Sequence, residues 1–147
     1  MRFFILTMFL SAACATAASE PAGKATTAFA TPPQDARILG SGVAHKVLRA
    51  GTGKVQPDAG SIVRVEFTGF RADGTEFDSS KSKGKPQVYE LPKVVRGLSI
   101  AIQHMVIGDL CRFWIPADVA YGESPDDARL PAGPLVFEIE LLNIVRQ

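Results

Sequence analysis

Two stretches of this chain alternate so regularly between apolar and polar side chains that only one backbone geometry suits them. Across 61–68, Val63, Val65 and Phe67 fall on one side and Arg64, Glu66 and Thr68 on the other. Across 135–142, Leu135, Phe137, Ile139 and Leu141 face one way, and Glu138 and Glu140 the other. A period of two belongs to a strand with one buried face and one solvated face. The apolar faces need a cover. One clear helical repeat can supply it: Leu98, Ala101, Ile102 and Met105 recur at i, i+3, i+4 and i+7, and Gly108 ends the run. Shorter strands are expected at 43–48, at 76–79 after the turn Ala72-Asp73-Gly74-Thr75, at 87–91 between Pro86 and Pro92, and at 110–115. The predicted fold class is α+β, an antiparallel sheet with one short helix laid against its apolar face. At 147 residues, without internal repeats, one domain accounts for the chain.

The ends of the chain differ from its middle. Arg2, the apolar run from Phe3 to Leu10 and the small residues Ser11 to Ala17 read as an export signal, too short for a comfortable membrane-spanning helix. Residues 1–15 are therefore expected to be a signal peptide. Ala12-Ala13-Cys14 also resembles the end of a lipoprotein signal, with Ser11 where Leu is usual. Lipidation of Cys14 and ordinary cleavage after Ala15 or Ala17 both stay open. Residues 16–40, rich in Ala, Thr and Pro, read as a flexible linker, and 41–147 as the folded domain. Net charge is +1, and loss of Arg2 with the leader would balance fifteen basic against fifteen acidic side chains. That balance gives no reason to expect nucleic acid or an anionic membrane surface as partner; the membrane enters only through a lipid on Cys14. Cys111 is then left without an internal disulfide partner, and its setting between Leu110 and Phe113 suits a small buried hydrophobe.

Several chemistries lack their parts. His45 and His104 stand apart from any Cys or carboxylate cluster at ligand spacing, so no metal site is expected. Neither sits in a motif with a Ser or Cys nucleophile, which argues against a hydrolytic triad. His104 fits a solvent-facing or capping role at the helix end. Gly51-Thr52-Gly53 is not a phosphate loop, because Leu48 stands where its first Gly should be and Val55 follows Lys54. What remains is Phe77-Asp78-Ser79-Ser80 and, some forty residues later, Ala120-Tyr121-Gly122. These supply an aromatic ring, a carboxylate and a phenol without a nucleophile. Such a set can hold and reshape a small apolar group, and it is poorly equipped for covalent chemistry.

The order of these segments resembles the FKBP-type peptidyl-prolyl cis–trans isomerases over residues 41–145. Carrying the resemblance are Gly51-x-Gly53, Val63-x-Val65-x-Phe67-Thr68-Gly69, Asp73-Gly74, Phe77-Asp78-Ser79-Ser80 and Val94-Val95-Arg96-Gly97-Leu98. Met105-x-x-Gly108, Ile115-Pro116, Ala120-Tyr121-Gly122 and Leu135 to Leu142 follow in register. The resemblance implies a half-barrel sheet of five to six strands wrapped around the helix, and a pocket for proline between them. Asp78, Tyr121, Phe77 and Phe137 would then be catalytic, and Phe67, Val94, Val95, Leu98 and the loop-tip residue Leu130 would bind substrate. The Val95 N–H and the Tyr121 hydroxyl would donate to substrate carbonyls. It implies no cofactor, proline-containing unfolded polypeptides as partners, tacrolimus or rapamycin as ligands, a monomer, and an exported protein of the periplasm or of a membrane facing it.

Three positions depart from the family pattern. Phe67 stands where a Tyr commonly bonds the aspartate, Leu98 where a Trp often floors the pocket, and Gln87 where Phe is usual in a segment about two residues short. A non-catalytic peptide clamp using the same pocket is the alternative these departures keep open; a lipoprotein adaptor whose fold serves only recruitment is a third reading, tied to acylation of Cys14 without turnover. Trp114 is expected on the strand face opposite Phe113, outside the pocket, and Asp126-Asp127 is expected either to tune substrate preference or simply to be solvated.

Overall fold

The computed structural model describes residues 29–147; the expectations for the signal peptide and for Cys14 lie outside these residues. Seven strands form one antiparallel sheet: β1 (Arg37–Ile38), β2 (Ala44–Arg49), β3 (Ile62–Arg71), β4 (Glu76–Ser79), β5 (Gln87–Glu90), β6 (Leu110–Ile115) and β7 (Leu135–Arg146). Their order is β1-β2-β6-β7-β3-β4, with β5 also on β3. The five to six expected strands are all present, and the two-residue β1 is the addition. The helix, α1 (Arg96–Gln103), presents Gly97, Leu98, Ala101 and Ile102 to the sheet. Met105 continues that apolar stripe just past the helix end, fully buried, with its N–H on the Ile102 carbonyl at 3.0 Å.

Alternation decides which side chains meet the helix. Val63, Val65 and Phe67 of β3, and Leu135, Phe137, Ile139 and Leu141 of β7, form one core with Phe113, Leu98, Ile102 and Met105. Cutting Ile102 to Ala in such a core costs about 2–5 kcal/mol. β3 and β7 pair from Ile62↔Arg146 to Arg71↔Leu135, with register shifts near Ile62 and Arg64 that bend the pair. The opposite edge of β3 is shared. Ile62 to Val65 take β5, and Thr68 to Phe70 take β4. Between the two, Ser80 closes the gap: its N–H donates to the Phe67 carbonyl at 2.9 Å and its hydroxyl accepts from the Phe67 N–H at 3.1 Å.

The outer face of the sheet is not wholly solvated. Trp114, Ala44 and Val136 make a second cluster, covered by Phe29, Ala36 and Phe70. Residues 29–40 fall in the stretch expected to be a linker, yet they strap this face. The Trp114 indole Nε1–H donates to the Phe29 carbonyl at 3.0 Å, the Phe29 ring meets Phe70 edge-on at 5.2 Å, and Lys46 pairs with Asp35 at 2.7 Å. Trp114 thus lies away from the inner core, as its place opposite Phe113 implies.

The glycine pair has a structural purpose. A side chain on Gly51 would collide with the backbone of Ile107, Gly108 and Asp109, and one on Gly53 would meet the Ile107 amide. Asp109 ties this crossing together: Oδ1 accepts from the Gly51 N–H at 2.6 Å and Oδ2 from the Val106 N–H at 3.0 Å. Gly108 turns the chain there with φ +94°. Cys111 is buried with its thiol pushed up to about 12 by desolvation first and Asp109 second, an inert state. His104 caps α1, with Nδ1 2.8 Å from the Ile100 carbonyl.

Asp109→Ala removes two hydrogen bonds to a carboxylate and is expected to cost about 3–6 kcal/mol in a urea melt, at about 1.5–3 kcal/mol for each charged bond. A second expectation concerns acid. His45 stacks on Phe113 and its Nδ1 is buried with no hydrogen-bond partner among the described residues. Desolvation, outweighing the opposing bond to the Arg37 backbone, holds its pKa below the ordinary value. The unfolded chain therefore binds the proton more readily, and stability present above about pH 6.5 falls as pH drops through the folded value. In melts between pH 7.5 and 5, His45→Gln should flatten that decline.

Candidate active site

A cavity of about 390 Å³ opens where β3 exchanges β5 for β4, over the N-terminus of α1. Its walls are Phe67 from β3, Phe77 and Asp78 from β4, Val94 and Val95 before the helix, Leu98 within it, Tyr121 after β6, and Phe137 from β7. Of the residues singled out from sequence, all but Leu130 line it. Leu130 is exposed in the loop beyond Tyr121, held by its N–H on the Asp127 carbonyl at 2.9 Å. Val88, Tyr89, Glu90 and Lys93 line the cavity as well.

Each wall has a local cause. Pro92 sits in the 3-10 turn Leu91–Lys93, and Val95 leads into α1 with extended backbone at ψ 146°. The Val95 carbonyl accepts from Leu98 and Ser99 at 3.0 and 3.1 Å, so the helix starts at the cavity wall and Leu98 points into it. Phe77 and Phe137 meet edge-on at 5.7 Å, a favoured aromatic geometry. Gly69 makes that contact feasible. A Cβ there would lie 2.7 Å from the Phe77 Cζ and 2.9 Å from the Phe137 Cε1.

The polar groups are few and mostly paired. With Phe at position 67, the Asp78 carboxylate takes its partner from the following loop: Oδ2 accepts from Lys83 Nζ at 2.7 Å. Both side chains are more than one-third exposed, so the pair is worth at most about 1 kcal/mol. The same ammonium lies 5.1 Å from the Phe67 ring centre. Glu90 and Lys93 pair with each other at 2.8 Å. Burial, and then the nearby Asp78 charge, raise the Tyr121 pKa above the ordinary phenol value, which keeps it a neutral donor. In the overhanging loop, Asp127 is taken up by Arg129 at 2.7 Å, whose hydrogen bond holds its carboxyl below the usual range. That half of the acidic pair is neutralised locally.

Val88, Tyr89, Glu90 and Lys93 are the wall residues that sequence reasoning misses. The strand at 87–91 is too short for its pattern to reveal a face, and the signal lies in register alone: a strand paired antiparallel to β3 sets the side chain opposite Val63 toward the core. Tyr89 is that residue. No group of three or more metal-ligating side chains occurs among the described residues.

Comparison with known proteins agrees with this geometry. The model of the FKBP-type peptidyl-prolyl cis-trans isomerase family matches residues 53–142. The outer membrane protein MIP of Legionella longbeachae is 39% identical over 110 residues, 73% of this chain and 46% of that protein. FkpA of Aeromonas hydrophila, an FKBP-type isomerase by name, is 39% identical over 104 residues, covering 71% and 38%. The chain spans about half the length of these relatives or less. Among solved structures, a peptidyl-prolyl cis-trans isomerase of Pseudomonas syringae superposes with a TM-score of 0.71 at 34% identity, over 88% of this chain and 98% of the other. FkpA of Escherichia coli gives 0.72 at 28% identity, over 85% and 58%. A half-barrel whose cavity is walled by the residues of the shared motifs, together with a family match over more than half of its length, places the chain in the FKBP-type peptidyl-prolyl cis-trans isomerase family.

Proposed function

We propose that this chain accelerates cis–trans rotation of Xaa-Pro bonds in unfolded or partly folded polypeptides. The observation that carries the reading is the cavity: a largely apolar chamber of about 390 Å³, roomy enough for a proline and its neighbours, with phenols and carboxylates at its border and no nucleophile–base pair. Rotation is slow because amide resonance gives the C–N bond double-bond character, with a barrier of ~18–20 kcal/mol. In the twisted transition state that resonance is lost and the carbonyl is less dipolar. Phe67, Phe77, Val94, Leu98 and Phe137 therefore favour the twisted form relative to water, which is differential binding without a covalent step. An acceleration of about 10⁵ needs only about 7 kcal/mol of such preference.

Within this reading Tyr121 donates to a substrate carbonyl, and the Val95 N–H, at the entry to α1, donates to another. Asp78 borders the twisting amide and exchanges its Lys83 partner for the substrate. The name of the Legionella relative, outer membrane protein MIP, supports an envelope setting, and macrolides of the tacrolimus type are candidate inhibitors. From the sequence we assign residues 1–15 to a leader and name Cys14 as the candidate for acylation. Among the described residues no helix is long and apolar enough to cross a membrane.

The deciding experiment is turnover of an Ala-Leu-Pro-Phe peptide by the whole protein, with and without tacrolimus. Catalysis that the drug suppresses supports the reading; peptide binding without turnover would favour the clamp instead. Tyr121→Phe should lower kcat/KM about 2–10-fold, the worth of one neutral hydrogen bond. Asp78→Leu should lower it by at least about tenfold with the melting temperature little changed, since the lost ion pair is weak. If both variants retain full turnover, the site is misassigned.

A further inference from the structure

Every charged side chain that lines the cavity already has a partner: Asp78 has Lys83, and Glu90 and Lys93 have each other. Two polar groups are left over. Among the described residues neither the Tyr121 hydroxyl nor the Tyr89 hydroxyl has a hydrogen-bond partner in the protein, and neither is a buried orphan, so both are open to the cavity and available to a ligand. Tyr89 cannot easily turn away. It sits on β5, whose only sheet neighbour among the described residues is β3, and its place opposite fully buried Val63 directs it inward at the sheet edge where the cavity opens. Its ring rests on Phe67 at 5.6 Å, which fixes the plane of the phenol.

We propose that Tyr89 is a second substrate-contacting phenol of this site, whose hydroxyl donates a hydrogen bond to a backbone carbonyl flanking the bound proline, other than the one met by Tyr121. The proposal rests on the peptide-binding reading of the cavity. Its chemistry is that of an extended peptide: two donors on separate walls can engage two carbonyls of one strand, whereas an isolated proline ring offers too few acceptors. Burial first, and then the charge of Asp78 and the neighbouring Tyr121, push the Tyr89 phenol up to about 12. It therefore remains a protonated donor throughout the physiological range. Loss of such a donor leaves the ring and its packing intact, which makes Tyr89→Phe a clean probe.

The test uses the whole protein and an Ala-Leu-Pro-Phe peptide, with kcat/KM, peptide Kd by calorimetry and the thermal midpoint measured for wild type, Tyr89→Phe, Tyr121→Phe and the double variant. Tyr89→Phe is expected to raise both Kd and KM about 2–10-fold, the range for one neutral hydrogen bond, with the midpoint held. The double variant should multiply the two single losses, as separate donors do. Unchanged Kd and kcat/KM in Tyr89→Phe overturn the proposal, and so does a loss that appears only as a lowered midpoint. Wild-type protein that binds the peptide without turning it over sinks the isomerase reading alone, and the Kd comparison still decides the role of Tyr89. Wild-type protein that neither binds nor turns over the peptide overturns both.

Discussion

The pairing of β3 with β7 along the whole of β3 governs the rest of the molecule. That ladder commits one edge of β3 from Ile62 to Arg71, and it supplies Val63, Val65, Phe67, Leu135, Phe137, Ile139 and Leu141 to the inner core. The other edge cannot be satisfied by a single partner, because β4 and β5 are four residues each. They divide it, and at Glu66 and Phe67 neither strand is present. Ser80 supplies the missing backbone bonds there, so no buried donor is stranded. The interruption leaves room beside the core, and the cavity occupies it. Its apolar character follows without further design, since its floor and back wall are core residues reached from the open edge.

Much of this was legible in the sequence because two of its codes are local. Period-two alternation locates β3 and β7, and the 3.6-residue repeat locates α1, because burial on one face is written directly into residue order. The aromatic and aliphatic walls of the site came from motif order, and all but Leu130 converge on one cavity. Leu130 does not, because the path of a loop tip is set by irregular turns, such as the Leu130 N–H on the Asp127 carbonyl, which no periodicity reports. Tyr89 escaped for a different reason. A four-residue strand between two prolines shows too little pattern to reveal its face, and only its register with Val63 does so. Residues 29–40 were equally opaque. Their Ala, Thr and Pro composition resembles a linker, and nothing local says that Phe29 has a partner in Phe70, some forty positions on.

Electrostatics at the mouth follow a simple economy of pairing. Lys83 answers Asp78, Lys93 answers Glu90 and Arg129 answers Asp127, each over a short sequence interval and each at the surface. These pairs add little stability. Their effect is to leave the cavity close to neutral, with phenols in place of charges as its available polar groups. A neutral, weakly polar chamber suits a reaction in which the carbonyl dipole diminishes on the way to the transition state.

The strap on the outer face has a mechanical implication. The chain enters the described structure at Phe29, beneath Trp114 and against Phe70, and then runs through β1 at the far end of the sheet from β4. Tension applied to the N-terminal side is therefore borne first by that outer cluster and by the β1–β2 pair. The cavity walls lie on the inner face, behind the sheet. A pull transmitted through Phe29 thus loads the face of the sheet opposite to the opening near Tyr89 and Tyr121.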